Sequence, residues 1–285
     1  MKIGISIPPH LHEPEHLFEW VRRVDVGPFS TLSILDRIVY ANYEPLITLA
    51  AAAALSTRVR LMTEILISPL RNTTILAKES ATLDALSRGR LTLGLGVGAR
   101  EDDFLATEAD YKHRGKHLEE QINQMRSIWA GNALQANVGP VGPAPVQTHG
   151  PEILLGGFVP RAIQRVARYA DGFITAVNQI EETDKAFRSV EQSWQEAGRS
   201  GKPRLVAQME MALETHHIGQ GRKNIRDYYA TVPPVDAYKS AALLTTEQQL
   251  RETIHALQQI GTDELIFFAW STELDQIDRV ADVIG

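Results

Sequence analysis

The feature that most constrains this fold is the regular alternation of short apolar, strand-like runs with helical patterns. Most of the runs are continuously apolar, which is typical of parallel strands buried on both faces. The eight runs begin at Lys2, Thr31, Val59, Leu91, Glu152, Gly172, Arg204 and Glu264. Helical patterns follow at 15–26, 44–57, 73–87, 114–130, 160–170, 181–198, 246–260 and 274–284. The alternation predicts an α/β protein with a (β/α)8 TIM barrel, with an open doubly wound sheet as the alternative.

The length of 285 residues suits one large barrel, and we expect residues 1–285 to form a single domain. Two connecting segments are unusually long for a compact domain, 131–150 and 213–245. The second follows the seventh strand, so it is an insertion at the C-terminal face of the barrel. We expect 131–150 to be an irregular loop and 213–245 to be a lid over the barrel.

Composition excludes several classes of function. The net charge of −6 argues against nucleic acid as a partner. The chain has no cysteine, which excludes disulfides, thiolate catalysis and iron–sulfur clusters. No stretch reaches the roughly 18 apolar residues of a membrane span, and the first residues do not resemble a signal peptide. We therefore expect a cytoplasmic protein without a membrane partner.

The fourth strand carries a glycine pattern, LTLGLGVGAR, with Gly94, Gly96 and Gly98 at alternate positions. A dinucleotide-binding turn needs GxGxxG after the first strand, so this pattern does not match it. Two interpretations stay open. Glycines here allow a flat ligand to approach the backbone, or they meet a need for small residues at the barrel rim.

Three motifs in order resemble the bacterial luciferase-like monooxygenase family. They are AKESATLDALSRGRLTLGLGVG at 77–98, HRGKHLEEQINQMRSIWAG at 113–131 and LLGGFVPRAIQRVARYADGF at 154–173. The resemblance implies a TIM barrel that binds FMN, or alternatively the deazaflavin F420, at its C-terminal face. It implies monooxygenation with reduced FMN and O2, or hydride transfer, on a small organic substrate. It also implies a separate flavin or F420 reductase as electron source, and a homodimer.

The candidate cofactor-binding residues lie at strand ends on this face. The turn after the fifth strand offers glycines for close approach, backbone N–H groups at a helix N-terminus for a phosphate, and one arginine. A solvated arginine on a tight turn is the alternative. The full set of candidates is Asp36, Thr63, Ser68, Gly96, Val97, Gly98, Gly156, Gly157, Phe158, Val159 and Arg161.

Three residues are candidate acid–base groups: Asp36, Glu64 and His10. Family members often carry histidine after an acidic residue at the second strand end, whereas this chain has Arg37, so an imidazole role there is in doubt. Asp36 accepts a hydrogen bond from a ligand, or it pairs with an arginine. Glu64 either shuttles protons with a raised pKa or pairs with a basic residue. The resemblance also implies strained backbone near 65–68.

The stretch after the sixth strand, 176–179, lacks the threonine and lysine of some F420-binding members, which favours FMN. Two other classes of function remain open. One is a barrel that binds flavin without turnover. The other is a metal-dependent hydrolase that uses His10, His12 and Asp36, although the sequence places no ligating carboxylate by spacing. We predict no metal site.

Overall fold

The computed structural model describes residues 1–232 and 234–285. Eight parallel strands form a closed barrel in sequence order, which confirms the (β/α)8 prediction and excludes the open sheet. Closure is made by β1 and β8, whose register pairs Lys2 with Glu264 and Ile5 with Phe267. The strands are β1 Lys2–Ser6, β2 Thr31–Ile34, β3 Arg60–Ile67, β4 Leu91–Gly96, β5 Glu152–Gly156, β6 Gly172–Thr175, β7 Arg204–Met211 and β8 Glu264–Ala269.

Helices surround the barrel and also cover its C-terminal end. They are α1 Pro14–Val26, α2 Pro45–Leu55, α3 Thr73–Leu86, α4 Glu101–Ala106, α5 Arg114–Trp129, α6 Pro160–Tyr169, α7 Ile180–Glu196, α8 Thr215–Tyr229, α9 Val235–Ala241, α10 Glu247–Gln259 and α11 Asp275–Ile284. A short 3-10 turn spans Ser68–Leu70. Within the described ranges, no helix is long and apolar enough to cross a lipid bilayer.

Segment 213–245, expected to be a loop between the seventh strand and its helix, contains helices of its own. Its described residues form α8 and α9, and α8 buries a face made by Gly221, Asn224, Ile225 and Tyr228. The two glycines and paired histidines of α8 weaken its helical pattern, so its packing against the barrel stabilises it. Segment 131–150, by contrast, contains neither a helix nor a strand beyond one isolated bridge.

Local sequence explains several helix ends. Thr246 and Gln249 form the expected capping box at the start of α10. The Asn72 side chain accepts hydrogen bonds from two backbone N–H groups at the start of α3. Pro160 occupies the first turn of α6, where its missing N–H costs nothing.

The barrel interior is filled with side chains rather than open. Met62, Leu154, Ile174, Val206 and Ile266 form one buried cluster, against which Ile65 packs. Three strand glycines make room for Ile65. A Cβ atom on Gly94, Gly96 or Gly156 would lie 3.0, 3.0 or 2.6 Å from its side chain.

The N-terminal end of the barrel is closed by a charged network. Arg204 forms ion pairs with both Glu152 and Glu264. Arg60 donates to the Thr92 hydroxyl at 2.7 Å. Since these buried charges have opposite-charge partners, the network can stay desolvated and fixes one end of the barrel.

Candidate functional site

The C-terminal mouth of the barrel is covered by α8 and α9, and three polar contacts hold them there. Lys239 of α9 donates to the Ala176 carbonyl at 2.5 Å. The Tyr238 hydroxyl accepts from the Asn178 backbone N–H at 3.0 Å. From α8, the Asn224 side chain donates to the Trp270 carbonyl at 3.0 Å. The cover therefore bonds to the ends of β6 and β8.

Glu64 lies inside the barrel beneath this cover, with only 4% of its surface exposed. One carboxyl oxygen accepts a hydrogen bond from Ser33. The other, Oε1, is buried without a hydrogen-bond partner among the described residues. Burial raises the pKa of Glu64 well above its ordinary value, which favours the neutral acid. The sequence analysis expected Glu64 either to shuttle protons or to pair with a basic residue. Its described contacts include no basic residue.

Beside Glu64, β7 contributes a second buried carboxylate. Glu210 is fully buried and forms an ion pair with Lys239, the N–O distance being 2.6 Å. The indole N–H of Trp270 donates to the other oxygen of Glu210. Glu210 therefore has a cation and an N–H donor as partners, whereas Glu64 has only the Ser33 hydroxyl among its described contacts.

Asp36 is engaged in an ion pair, as the structural alternative for this residue predicted. It accepts from Arg71 at 2.6 and 3.1 Å and from the Ile67 backbone N–H at 2.8 Å. Arg37, which stands where the family often has histidine, lies against two acidic residues of α4, Asp102 at 2.9 Å and Asp103 at 3.3 Å. Both arginines therefore join strand ends to neighbouring loops and helices.

His10 belongs to an aromatic cluster at the mouth. Its Nε2 atom is hydrogen-bonded to the Tyr40 hydroxyl at 2.5 Å. Burial lowers the pKa of His10 to about 4, so the imidazole is neutral near pH 7. Tyr40, Tyr228 and Trp270 continue the cluster, with centroids 5.1 Å apart for the two tyrosines and 5.6 Å for Tyr228 and Trp270.

The turn after β5 is the most exposed part of the predicted site. Phe158 and Val159 are 71% and 59% exposed, and Arg161 is exposed. The Val159 side chain does not cap α6, so the Arg161 N–H has no side-chain acceptor, whereas the Ala162 N–H donates to the Val159 carbonyl at 2.8 Å. Gly157 has φ +151°, and a Cβ atom there would lie 2.4 Å from the Ala162 Cβ, so this turn requires glycine.

A groove of about 500 Å³ starts at this turn and runs between α6 and α7. Gly157, Phe158 and Pro160 line one end of the groove. Its polar lining consists mainly of glutamine and glutamate, and Lys185 is hydrogen-bonded to Glu182 at 2.6 Å. The groove therefore offers little free positive charge.

The remaining predicted cofactor residues lie in or near β3 and β4. The Thr63 hydroxyl donates to the Gly94 carbonyl at 2.8 Å. The Ser68 hydroxyl donates to the Gln121 side chain at 2.9 Å, so it faces α5. Val97 packs on the main core, and Gly98 has φ +73°. Contact of these residues and Gly96 with a cofactor stays a prediction.

The backbone of β3 is irregular, near the range that the family resemblance indicated. Its pairing with β4 shifts register between Thr63 and Leu66. The Glu64–Ile65 peptide bond is cis. In the part of the chain that the structure describes, no group of three or more histidine or acidic residues could hold a metal ion.

Comparison with known proteins decides the family. The model of the luciferase-like monooxygenase family matches residues 1–264. This chain belongs to that family. A Mycobacterium tuberculosis protein described as uncharacterised is 30% identical over 202 residues, covering 68% of this chain and 71% of the relative. A phthiodiolone/phenolphthiodiolone dimycocerosates ketoreductase of Mycobacterium tuberculosis is 31% identical over 170 residues, covering 56% of this chain and 44% of that protein.

Solved structures of low sequence identity share the luciferase-like fold of this chain. Monooxygenase RslO1 from Streptomyces bottropensis has a TM-score of 0.84 at 21% identity and covers 99% of this chain and 97% of its own. An F420-dependent secondary alcohol dehydrogenase has a TM-score of 0.80 at 17% identity and covers 99% and 98%. This fold thus occurs both in a monooxygenase and in an F420-dependent dehydrogenase.

Several residues at the mouth were missed by the sequence analysis. Glu210, Trp270, Tyr229 and Lys239 lie in or beside the last two strands or in the cover, and Arg100 follows the glycine-rich strand. The signal for Glu210 was a charged residue inside an otherwise apolar strand, RLVAQMEMAL. Nothing in the sequence indicated that Lys239 would reach it.

Proposed function

We propose that this protein is a flavin-dependent monooxygenase that uses reduced FMN and O2 to oxygenate a small organic substrate. A separate reductase supplies the reduced flavin. The observation that carries the proposal is the exposed turn Gly157–Arg161 at the N-terminus of α6, beside a covered mouth that contains the buried carboxyl group of Glu64. Monooxygenase RslO1, with its TM-score of 0.84, supports this class of chemistry.

The polar atoms at the mouth fit the edge of a flavin ring. Oε1 of Glu64, Nδ1 of His10 and both side-chain polar atoms of Asn178 are buried without partners among the described residues. Because burying an unpaired polar group is costly, these atoms favour a ligand with both donors and acceptors. A flavin, whose ring edge carries carbonyl and N–H groups, is such a ligand. Bound there, it would supply two-electron redox chemistry.

Each group of the chain has a defined task in this proposal. The N–H groups at the start of α6 and the Arg161 side chain bind the phosphate, helped by the helix dipole. Glu64, as a neutral acid, donates a hydrogen bond to the ring edge. The cover formed by α8 and α9 excludes water from the mouth, which strengthens polar interactions inside it.

The groove beside the turn favours FMN over F420. F420 carries a negatively charged oligoglutamate tail beyond its phosphate, and a tail of this kind needs cations along its path. The groove that leaves the phosphate turn contains Glu182 and Glu196, and its lysine, Lys185, already pairs with Glu182. FMN ends at its phosphate and needs no such path.

The first experiment measures affinity for FMN, riboflavin and F420 by fluorescence titration of wild type and Arg161→Gln. We expect wild type to bind FMN more tightly than riboflavin. Arg161→Gln should reduce FMN affinity about tenfold and leave riboflavin affinity unchanged, since riboflavin lacks the phosphate. Arg168→Gln, at the opposite end of α6, is the matched control and should change neither.

Equal FMN and riboflavin affinities, or tighter binding of F420, would contradict the choice of cofactor. Gly157→Glu is a poor test, because any side chain at φ +151° strains the turn whether or not a phosphate binds there. Substrate-dependent O2 uptake with a supply of reduced FMN then separates an enzyme from a barrel that only binds flavin.

A further inference from the structure

Arg100 is a cation at the mouth without an acidic partner. It follows β4 and is half-buried immediately before α4. Its Nη2 atom donates to the Tyr228 carbonyl at 3.2 Å. Its Nε atom is buried and has no acceptor among the described residues. Among the residues that the structure describes, no carboxylate oxygen lies within 4.0 Å of the Arg100 guanidinium group.

Three other cations at the mouth form ion pairs. Arg37 lies 2.9 Å from Asp102, Arg71 lies 2.6 Å from Asp36, and Lys239 lies 2.6 Å from a carboxylate oxygen of β7. Arg100 is the exception among these four. A partly buried guanidinium group with an unused N–H donor attracts an anionic acceptor, because such a group is costly to leave unpaired.

Aromatic rings surround the guanidinium group. Its central carbon lies 4.6 Å from the ring centroid of Tyr228 and 5.3 Å from that of Tyr229. Tyr40 and Trp270 pack on the same cluster, with centroids 5.1 and 5.6 Å from that of Tyr228. Rings of this kind stack on a planar ligand, and an arginine among them adds the charge that selects an anion.

We propose that the substrate is an aromatic acid and that Arg100 binds its carboxylate or phenolate while the rings of Tyr40 and Tyr229, both partly exposed, contact its aromatic part. The inference rests on the proposed function in one respect, namely that this ligand is the molecule that is oxygenated. Binding of the aromatic acid itself does not depend on the cofactor assignment.

Two other roles for Arg100 have distinct consequences. Arg100 caps the C-terminal end of α8 through the Tyr228 carbonyl, but Arg37 already donates to the same oxygen at 3.2 Å. If Arg100 only caps α8, replacing it would therefore disturb the cover and change the affinity for charged and neutral ligands equally. A role in binding the cofactor phosphate would change the ratio of FMN to riboflavin affinity.

The test uses isothermal titration calorimetry with 2-naphthoate and its neutral analogue 2-naphthamide, on the protein with and without FMN. We expect wild type to bind 2-naphthoate at least about tenfold more tightly than the amide, the size expected for a hydrogen bond to a charged group. Arg100→Gln should remove this preference and leave the amide affinity within about twofold. Arg222→Gln, the same charge change on the exposed face of α8, should keep the preference.

Arg100→Lys keeps a cation that can cap α8, so it replaces the glutamine variant if that variant does not fold. It should retain part of the preference for 2-naphthoate over the amide. Equal affinities of wild type for the two probes would overturn the inference. An equal loss of affinity for both probes in Arg100→Gln would also overturn it. So would a ratio of FMN to riboflavin affinity that is lower in Arg100→Gln than in wild type. If naphthoate is selected but FMN does not bind, the anion site stands and the proposed cofactor fails.

Discussion

Replacing Glu64 with glutamine tests whether this buried residue is a neutral acid. Glu64 is 4% exposed, and burial raises its pKa well above the ordinary value of 4.5. Between that value and the raised pKa, the unfolded chain releases the proton while the folded chain retains it. The free energy of unfolding of wild type therefore falls as pH rises, by about 1.4 kcal/mol per pH unit from this group alone.

Glutamine has nearly the shape of the neutral acid but does not titrate. The free energy of unfolding of Glu64→Gln minus that of wild type should therefore increase with pH above 4.5, by about 1.4 kcal/mol per pH unit until the pH reaches the raised pKa. Contributions of other titrating groups cancel in this difference. Glu182→Gln, on the exposed face of α7, reports what the same substitution does at the surface.

Urea unfolding of wild type, Glu64→Gln and Glu182→Gln, followed by circular dichroism at pH 5.5, 6.5 and 7.5, supplies these free energies. A difference between Glu64→Gln and wild type that stays constant over this range would refute the reasoning. Glu64 would then be ionised in the folded protein and could not donate a hydrogen bond to the ring edge.

Two further predictions concern the scaffold. Arg204→Met removes the cation between the fully buried Glu264 and the partly exposed Glu152 at the base of the barrel, and should lower the free energy of unfolding by about 3–5 kcal/mol. Arg251→Met, which breaks an exposed pair on α10, should cost no more than about 0.5 kcal/mol, and similar losses for both would contradict the argument. Thr246→Ala removes the capping box of α10 and should cost about 1 kcal/mol in urea unfolding; an unchanged midpoint would be inconsistent with the cap.

The sequence was sufficient to predict the barrel because its strands are buried on both faces. Such strands, for example 91–96 and 264–269, are short continuous apolar runs that stand out between amphipathic helices. It was not sufficient for the cover. The residues of α8 include Gly219, Gly221 and paired histidines, and this helix depends on contacts with the barrel that no local pattern reveals.

For the candidate site, the sequence identified the face of the barrel and some of its residues. The pairing of Asp36 with an arginine was one of two expectations and is confirmed, although the partner, Arg71, lies 35 positions away. The partners of Glu210 and Arg100 could not be predicted. Lys239, Tyr228 and Tyr229 lie on α8 and α9 and Trp270 follows β8, and only the closed ring of strands brings them to the mouth.

The closure of the ring by β8 has a consequence for synthesis in the cell. Residues 264–269 follow all other strands, and they pair with β1 and β7 at the same time. While the chain is still emerging from the ribosome, β1 and β7 present two unpaired edges with free backbone N–H and C=O groups. Edges of this kind recruit other strands, so the nascent polypeptide is exposed to aggregation until its last strand inserts, and chaperones that shield such edges would matter most in that interval.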